Sequence, residues 1–179
     1  MNQHPIQMIP FPIPPQLEND QALLLPLLKT DFEALYALAS DPAIWAQHPQ
    51  PDRWKPDVFR AFFEGAIQSG SAYKIFDKAT DKLAGTTRFY DYNPATDSIA
   101  IGYTFLAVRH WGTGLNRSVK QLLLDYAFRW VSNVIFHVGA TNYRSQQAVM
   151  KLGAQKAGEM DMAAPGAPSK PYFVYALHR

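Results

Sequence analysis

The chain has 179 residues, with 17 basic and 15 acidic side chains and therefore a net charge near +2 at pH 7. This length suits one domain with a sizeable core, and the balanced charge gives no reason to expect binding to nucleic acid or a membrane surface. The sequence contains no cysteine, which excludes a disulfide framework, a thiolate metal site and a cysteine nucleophile. The sequence contains no run of about 18 apolar residues, which a membrane-spanning helix would need. We therefore expect a soluble, cytoplasmic protein.

The N-terminal residues 1–21 are predicted to form an extended, proline-rich arm ahead of a single domain over residues 22–179. Five prolines fall between Pro5 and Pro15, and each one fixes φ and removes a backbone hydrogen-bond donor. The apolar run at 22–28 predicts a short strand, which Pro26 either ends or places at a sheet edge.

Two helices are predicted next, separated by an irregular segment. Residues 30–33 have the spacing of a capping box, and apolar residues follow at helical intervals up to Ala39. The segment 44–54, "IWAQHPQPDRW", is too irregular for a regular element and too apolar for a plain linker, so it could line a pocket. A second apolar stripe begins near Pro56 and ends at Gly70, which predicts the second helix.

From residue 72 the apolar period changes to two, which predicts an antiparallel meander of three strands at 72–78, 83–92 and 99–108. A glycine turn then leads into a long helix. Its predicted apolar face comprises Leu115, Val119, Leu122, Leu123, Tyr126, Ala127 and Trp130.

The C-terminal third predicts a strand at 134–140, a short helix at 145–153 that Gly153 closes, and a last strand at 172–178. Residues 156–162 allow a further strand. The predicted order is therefore β-α-α-β-β-β-α-β-α-β-β, and the sequence has no internal repeat.

The turn before the long helix, "RHWGTGLNR" at 109–117, has the composition of an anion site. A helix start presents backbone N–H groups that have no partner within the helix, and the helix dipole adds partial positive charge there. Gly112 and Gly114 would let the main chain approach a pyrophosphate closely, and Arg109 and Arg117 could meet its charge. The alternative is that the glycines only make a tight turn.

Two known phosphate loops fit this turn poorly. The P-loop requires a Gly-Lys-Ser/Thr end that the sequence lacks, and the dinucleotide fingerprint requires a third glycine in a βαβ unit. Here an antiparallel meander comes first.

The turn and its surroundings resemble the GNAT superfamily of N-acetyltransferases, whose Arg/Gln-x-x-Gly-x-Gly/Ala loop matches residues 109–114. The stretches "IGYTFLAVRHWGTGLNRSVKQLLLDYAF" and "ATNYRSQQAVMKLGA" look like the branch of ribosomal-protein N-terminal acetyltransferases. The resemblance implies an α/β (α+β) fold with a largely antiparallel sheet of six to seven strands and about four helices.

By this resemblance, the backbone of the fourth family strand lies along the pantetheine arm of acetyl-coenzyme A, and the glycine loop binds its pyrophosphate. Asn142 and Ser145 match the family's Asn-x-x-Ser, in which the asparagine contacts the cofactor arm and the serine is a candidate acid for the leaving thiolate. Both could instead be helix caps. The implied cofactor-binding residues are Phe105, Leu106, Ala107, Val108, Arg109, His110, Trp111, Gly112, Thr113, Gly114, Leu115, Asn116, Asn142 and Ser145.

The sequence departs from many relatives at Ala100, where they carry a glutamate that assists deprotonation of the amine. Asp91 and His48 are the candidate substitutes, and no base is needed if the amine arrives neutral. Trp45 and Tyr90 join these two as weak candidates for binding the acceptor.

We therefore expect an acetyl-CoA-dependent transferase that acts directly on a primary amine of a small molecule or of a protein or peptide N-terminus. We expect no metal, nucleic acid or membrane partner, and the resemblance allows a homodimer. Two alternatives remain: a non-catalytic coenzyme-A-binding sensor or interaction module of the same fold, and a nucleotide-binding protein.

Overall fold

The computed structural model describes residues 10–164 and 166–179 and has the expected mixed α/β architecture. The helices are α1 (Phe32–Ala39), α2 (Pro56–Ser69), α3 (Leu115–Ala127) and α4 (Tyr143–Met150). The strands are β1 (Leu17–Glu18), β2 (Ala22–Pro26), β3 (Ala72–Asp77), β4 (Lys82–Asn93), β5 (Ser98–Leu106), β6 (Asn133–Gly139), β7 (Gln155–Met162) and β8 (Lys170–His178). Within the described ranges, no helix has both the length and the apolar composition needed to cross a membrane.

The eight strands form one sheet in the order β1-β2-β3-β4-β5-β6-β8-β7. Neighbouring strands are antiparallel except β5 and β6, which are parallel. The sheet has one strand more than predicted because the two residues of β1, within the predicted arm, pair with Leu24 and Leu23 of β2. The segment predicted to allow a further strand forms β7, and Pro26 ends β2 as predicted.

The sheet separates two apolar cores. Leu123 of α3 and Val149 of α4 pack with Phe89 of β4 in the first core. Leu35 of α1 and Phe59 of α2 belong to the second core. Helices therefore cover both faces of the sheet, as burial of a central sheet requires.

Two details of the predicted helices are wrong. The capping box at 30–33 does not form, because a single 3-10 turn precedes α1 and the carboxylate of Asp31 accepts from the N–H of Leu28 at 2.7 Å. Trp130 lies beyond the end of α3 and is 51% exposed. In contrast, α2 begins at Pro56 and ends as predicted at Gly70, which adopts left-handed geometry with φ +64°.

The described part of the N-terminal arm, residues 10–21, lies against the domain. The ring of Phe11 is 5.1 Å from that of Phe89 and only 8% of the residue is exposed. The hydroxyls of Tyr73 and Tyr126 donate to the carbonyls of Pro14 and Pro12, at 2.6 and 2.8 Å. Residues 1–9 of the predicted arm lie outside the described residues.

Candidate functional site

The strands β5 and β6 separate along their length and leave a cleft between them. They pair only from Ser98↔Asn133 to Ala100↔Ile135. Beyond this point a cavity of about 310 Å³ is lined by residues of both strands, including Thr104 and Phe136. The edge of β5 that faces β6 has no strand partner there among the described residues, so it can pair with an extended ligand as a strand would.

A β-bulge at Tyr103 accompanies this separation. The register moves two residues along β4, from Thr86 to Arg88, while it moves three along β5, from Phe105 to Gly102. Tyr103 has φ +51°, which is rare for an aromatic residue. A bulge bends its strand, so this one turns the end of β5 relative to β6 at the cleft.

The bulge also changes which face each side chain reaches. Ile99 and Ile101 pack in the core on the α3 side, whereas Phe105 packs in the core formed by α1 and α2. The ring of Tyr103 is 6.3 Å from that of Phe62 on α2. Strict alternation would have placed all four residues of β5 on one face.

The glycine turn places the start of α3 at the cavity. Gly112 and Gly114 have φ +72° and +88°, and a Cβ at either position would meet no atom within 4 Å. The first helical hydrogen bond runs from the N–H of Ser118 to the carbonyl of Gly114, so the amides of Asn116 and Arg117 have no helical partner. The turn thus offers free donors and open space, which an anionic group requires.

The residues around the glycines stabilise the turn. The hydroxyl of Thr113 donates to the carbonyl of His110 at 2.8 Å, and the indole N–H of Trp111 donates to the carbonyl of Leu106 at 3.1 Å. His110 is 4% exposed, and burial together with Arg109 lowers its pKa.

The two arginines predicted to meet an anion lie elsewhere. Nη2 of Arg109 donates to the carbonyl of Leu83 at 2.7 Å, and the exposed Arg117 does not line the cavity. An anion at the described turn would therefore have to be bound by main-chain amides.

The predicted cofactor set divides into two groups. The cavity is lined by Phe105, Leu106, His110, Trp111, Gly112, Gly114, Asn116, Asn142 and Ser145. The residues that do not line it are Ala107, Val108, Arg109, Thr113 and Leu115. The third strand of the meander was predicted to continue to Val108; it ends at Leu106, because a single turn begins at Val108.

Asn142 is the N-terminal cap of α4. Its Oδ1 accepts from the N–H of Ser145 at 3.3 Å, and the residue is 8% exposed. The capping prediction is confirmed for Asn142 and wrong for Ser145, which contributes its amide and not its hydroxyl. Ser145 lines the cavity.

Of the four predicted acceptor-binding residues, Trp45, His48 and Tyr90 line the cavity, whereas the exposed Asp91 does not. The hydroxyl of Tyr90 lies 2.7 Å from Nδ1 of His137. Burial raises the pKa of Tyr90 and lowers that of His137. Burial and the charge of Arg53 lower the pKa of His48 well below its ordinary value, so this imidazole is neutral at pH 7.

Residues of the loop 44–54 line the cavity, which confirms the prediction that this loop lines a pocket. The amide of Arg144 donates to Oε1 of Gln47 at 3.1 Å, and its Nη2 donates to the carbonyl of Ile44 at 3.1 Å. Pro49 packs on Gly139 so closely that a Cβ there would overlap Cγ and lie 2.5 Å from Cδ of the proline. The loop is therefore fixed to both β6 and α4.

Sequence reasoning missed three cationic residues of the cavity, Lys120, Arg53 and Arg144. Nζ of Lys120 donates to Oγ1 of Thr104 at 2.6 Å, and burial lowers the pKa of the lysine to about 7. The available signal was the helical interval between Lys120 and the buried Leu123, Leu124 and Ala127. Arg53 gave no such signal because it lies in the irregular loop.

One known protein family matches most of the length of this chain. The family model described as the acetyltransferase (GNAT) domain matches residues 21–155. No curated protein sequence matches the chain.

Solved structures share the fold at low sequence identity. A GCN5-related N-acetyltransferase from Brucella melitensis has a TM-score of 0.81 at 18% identity, over 94% of this chain and 80% of that chain. Spermidine N-acetyltransferase from Vibrio cholerae, in complex with CoA and spermine, has a TM-score of 0.66 at 18% identity, over 89% and 96%. The microcin C7 self-immunity acetyltransferase, in complex with acetyl-CoA and AMP, has a TM-score of 0.70 at 20% identity, over 90% and 94%.

Proposed function

Because the chain belongs to the GNAT family of acetyltransferases, we propose that it transfers the acetyl group of acetyl-CoA directly to a primary amine. The acceptor is a small molecule or a protein or peptide N-terminus. The observation that carries this proposal is the open cleft between β5 and β6, with the start of α3 at its mouth. The Vibrio cholerae and microcin neighbours, which bind CoA and acetyl-CoA, support it.

The residues of the cleft fit acetyl-CoA, which supplies an activated acetyl thioester. The unpaired edge of β5 from Tyr103 to Leu106 suits the extended pantetheine arm, and the amides of Asn116 and Arg117 suit the pyrophosphate. In the transfer, an N–C bond forms as the thioester C–S bond breaks, and the amine proton replaces the carbon on sulfur. We propose that Ser145, which lines the cavity, hydrogen-bonds the departing sulfur.

Of the two candidates for accepting the amine proton, only His48 lies at the cavity. His48 lines the cavity and is neutral at pH 7, whereas Asp91 is exposed and does not line it. Nδ1 of His48 already accepts from the N–H of Gln50 at 2.9 Å, and Nε2 lies 3.3 Å from Nη1 of Arg53. The ring can therefore take the amine proton only by exchanging one of these contacts, and its lowered pKa makes it a weak base.

We further propose that residues 22–179 form a single acetyltransferase domain and that the chain is related to the ribosomal-protein N-terminal acetyltransferases. The match over residues 21–155 supports the domain, and the Trp-Gly-x-Gly loop with its later Asn-x-x-Ser supports the branch. A cytoplasmic location and a homodimer stay predictions.

The test is release of free thiol from acetyl-CoA by the full chain across a panel of primary amines and peptides. Turnover that depends on an amine supports the proposal. CoA binding by calorimetry without turnover on any amine would support the sensor alternative. Tighter binding of ATP than of CoA would instead support a nucleotide-binding protein.

A further inference from the structure

Arg53 occupies a buried position in the lining of the cavity. It is 7% exposed, and its guanidinium lies 5.2 Å from the ring centre of Trp45 and 4.6 Å from that of Phe62. The residue lines the cavity together with Tyr103 and Tyr172. A cationic group is therefore held by aromatic rings beside the space where an acceptor must enter.

This guanidinium has no acidic partner among the described residues. None of the five ion pairs in residues 10–164 and 166–179 includes Arg53. Nη2 donates to Oε1 of Gln50 at 2.5 Å and Nη1 lies 3.3 Å from Nε2 of His48, while the buried Nε has no hydrogen-bond partner. Burial lowers the pKa of Arg53 to about 10, so the group is still charged at pH 7.

The rest of the cavity also lacks acidic side chains. Its described lining contains Arg144 and Lys120 but no aspartate or glutamate, and its three histidines have lowered pKa values, so they add no positive charge at pH 7. A polyamine would place more positive charge in this space with no carboxylate to receive it. An anionic group would instead offset the cost of burying an unpaired guanidinium, which is otherwise high.

We propose that Arg53 binds an oxyanion of the acceptor, so that the preferred substrate is a primary amine that also carries a carboxylate or phosphate group. This inference rests on the proposed acetyltransferase function. A guanidinium has five N–H donors, and Gln50 takes one of the two on Nη2, so the terminal nitrogens retain donors for a charge-assisted hydrogen bond. The surrounding rings suit an apolar or aromatic body. The ring of Trp45 lies 5.3 Å from that of Phe105 on β5, so the subsite adjoins the strand along which the acetyl donor is proposed to lie.

The experiment compares amines that differ only in the acidic group. The probes are α-amino acids, their amides, the corresponding decarboxylated amines and one aminophosphonate, each assayed by thiol release, with spermidine as a polycationic comparison. For wild type we expect kcat/KM at least about tenfold higher for acids than for the matched amides, since hydrogen bonds to charged groups are the stronger class. The carboxylate and phosphonate probes distinguish the two anions.

Arg53→Met should reduce the acid-to-amide ratio of kcat/KM to about one, mainly by raising KM for the acids. Arg53→Lys keeps the charge and should retain part of the preference. Arg60→Met is the matched control, because Arg60 also lies over a ring, 4.1 Å from that of Phe32, but lines a different cavity. The melting temperature and CoA affinity of each variant report on its folding.

The inference is overturned if acids and amides are used equally, if spermidine is preferred, or if Arg53→Met lowers kcat/KM for all amines equally. If no amine is acetylated, N-acetyl amino acids and N-acetyl amides are titrated into the CoA complex by calorimetry. Binding of the acids that Arg53→Met abolishes would support the oxyanion subsite although the transferase proposal had failed. Failure of the acids to bind more tightly than the amides would overturn the subsite as well.

Discussion

Replacing Lys120 with methionine should stabilise the protein at low pH, although it removes a hydrogen bond. Burial lowers the pKa of this lysine from 10.5 to about 7, and among the described residues Nζ donates only to Oγ1 of Thr104. Between pH 7 and about 10.5 the unfolded chain therefore binds one more proton at this site than the folded chain. The contribution of this site to the free energy of unfolding therefore rises with pH over that interval. Below pH 7 the folded protein carries the full free-energy cost of burying the charged lysine.

The size of the effect follows from the two pKa values. Each pKa unit corresponds to about 1.4 kcal/mol, so charging Lys120 in the folded state costs about 5 kcal/mol below pH 7. Loss of the bond to Thr104 offsets about 1 kcal/mol, and Oγ1 of Thr104 keeps its bond with Oγ1 of Thr87 at 2.8 Å. Lys120→Met should thus raise the free energy of unfolding by about 4 kcal/mol at pH 6, and the gain should disappear towards pH 10.

Urea denaturation of the wild type and Lys120→Met at pH 6, 7, 8 and 9 measures this difference, in which the other titrating groups cancel. Lys151→Met is the control, because Lys151 is exposed and its replacement should change stability by about 0.5 kcal/mol or less at every pH. If Lys120→Met raised the free energy of unfolding equally at pH 6 and pH 9, or lowered it at pH 6, the conclusion that burial destabilises charged Lys120 would be refuted.

Three further variants test the cleft. Gly114→Asp should raise the Kd for CoA at least about 100-fold in calorimetry, because it adds negative charge at the start of α3. Gly166→Asp is the control for backbone strain, because Gly166 also has a left-handed φ of +74° and open space around it. Gly139→Ala should raise KM for the amine with little change in the Kd for CoA, because the new methyl group displaces Pro49. Adding Pro49→Ala to the Gly139→Ala variant should restore KM. Ser145→Ala should lower kcat about tenfold or more with an unchanged melting temperature, since the cap on α4 uses its amide; wild-type turnover would remove the hydroxyl from the reaction.

Much of the fold follows from the sequence because the relevant signals are local. A period of two in the apolar residues predicts β3 to β5, since side chains alternate along any strand. Gly112 and Gly114 predict the turn into α3 because left-handed φ values favour glycine wherever the chain is placed. The sequence alone therefore locates the turn that we propose binds an anion.

The tertiary structure decided how these elements meet, because each decisive feature depends on residues far apart in the sequence. The bulge at Tyr103 arises from the register between β4 and β5, and it sends Phe105 to a different face from Ile101 although their spacing alone predicts one face. The separation of β5 from β6 and the packing of Pro49 on Gly139 create the cavity, and the burial of Arg53 and Lys120 follows from their position in it. Sequence patterns report the period of one segment; register, burial and the charge of a cavity are properties of several segments packed together.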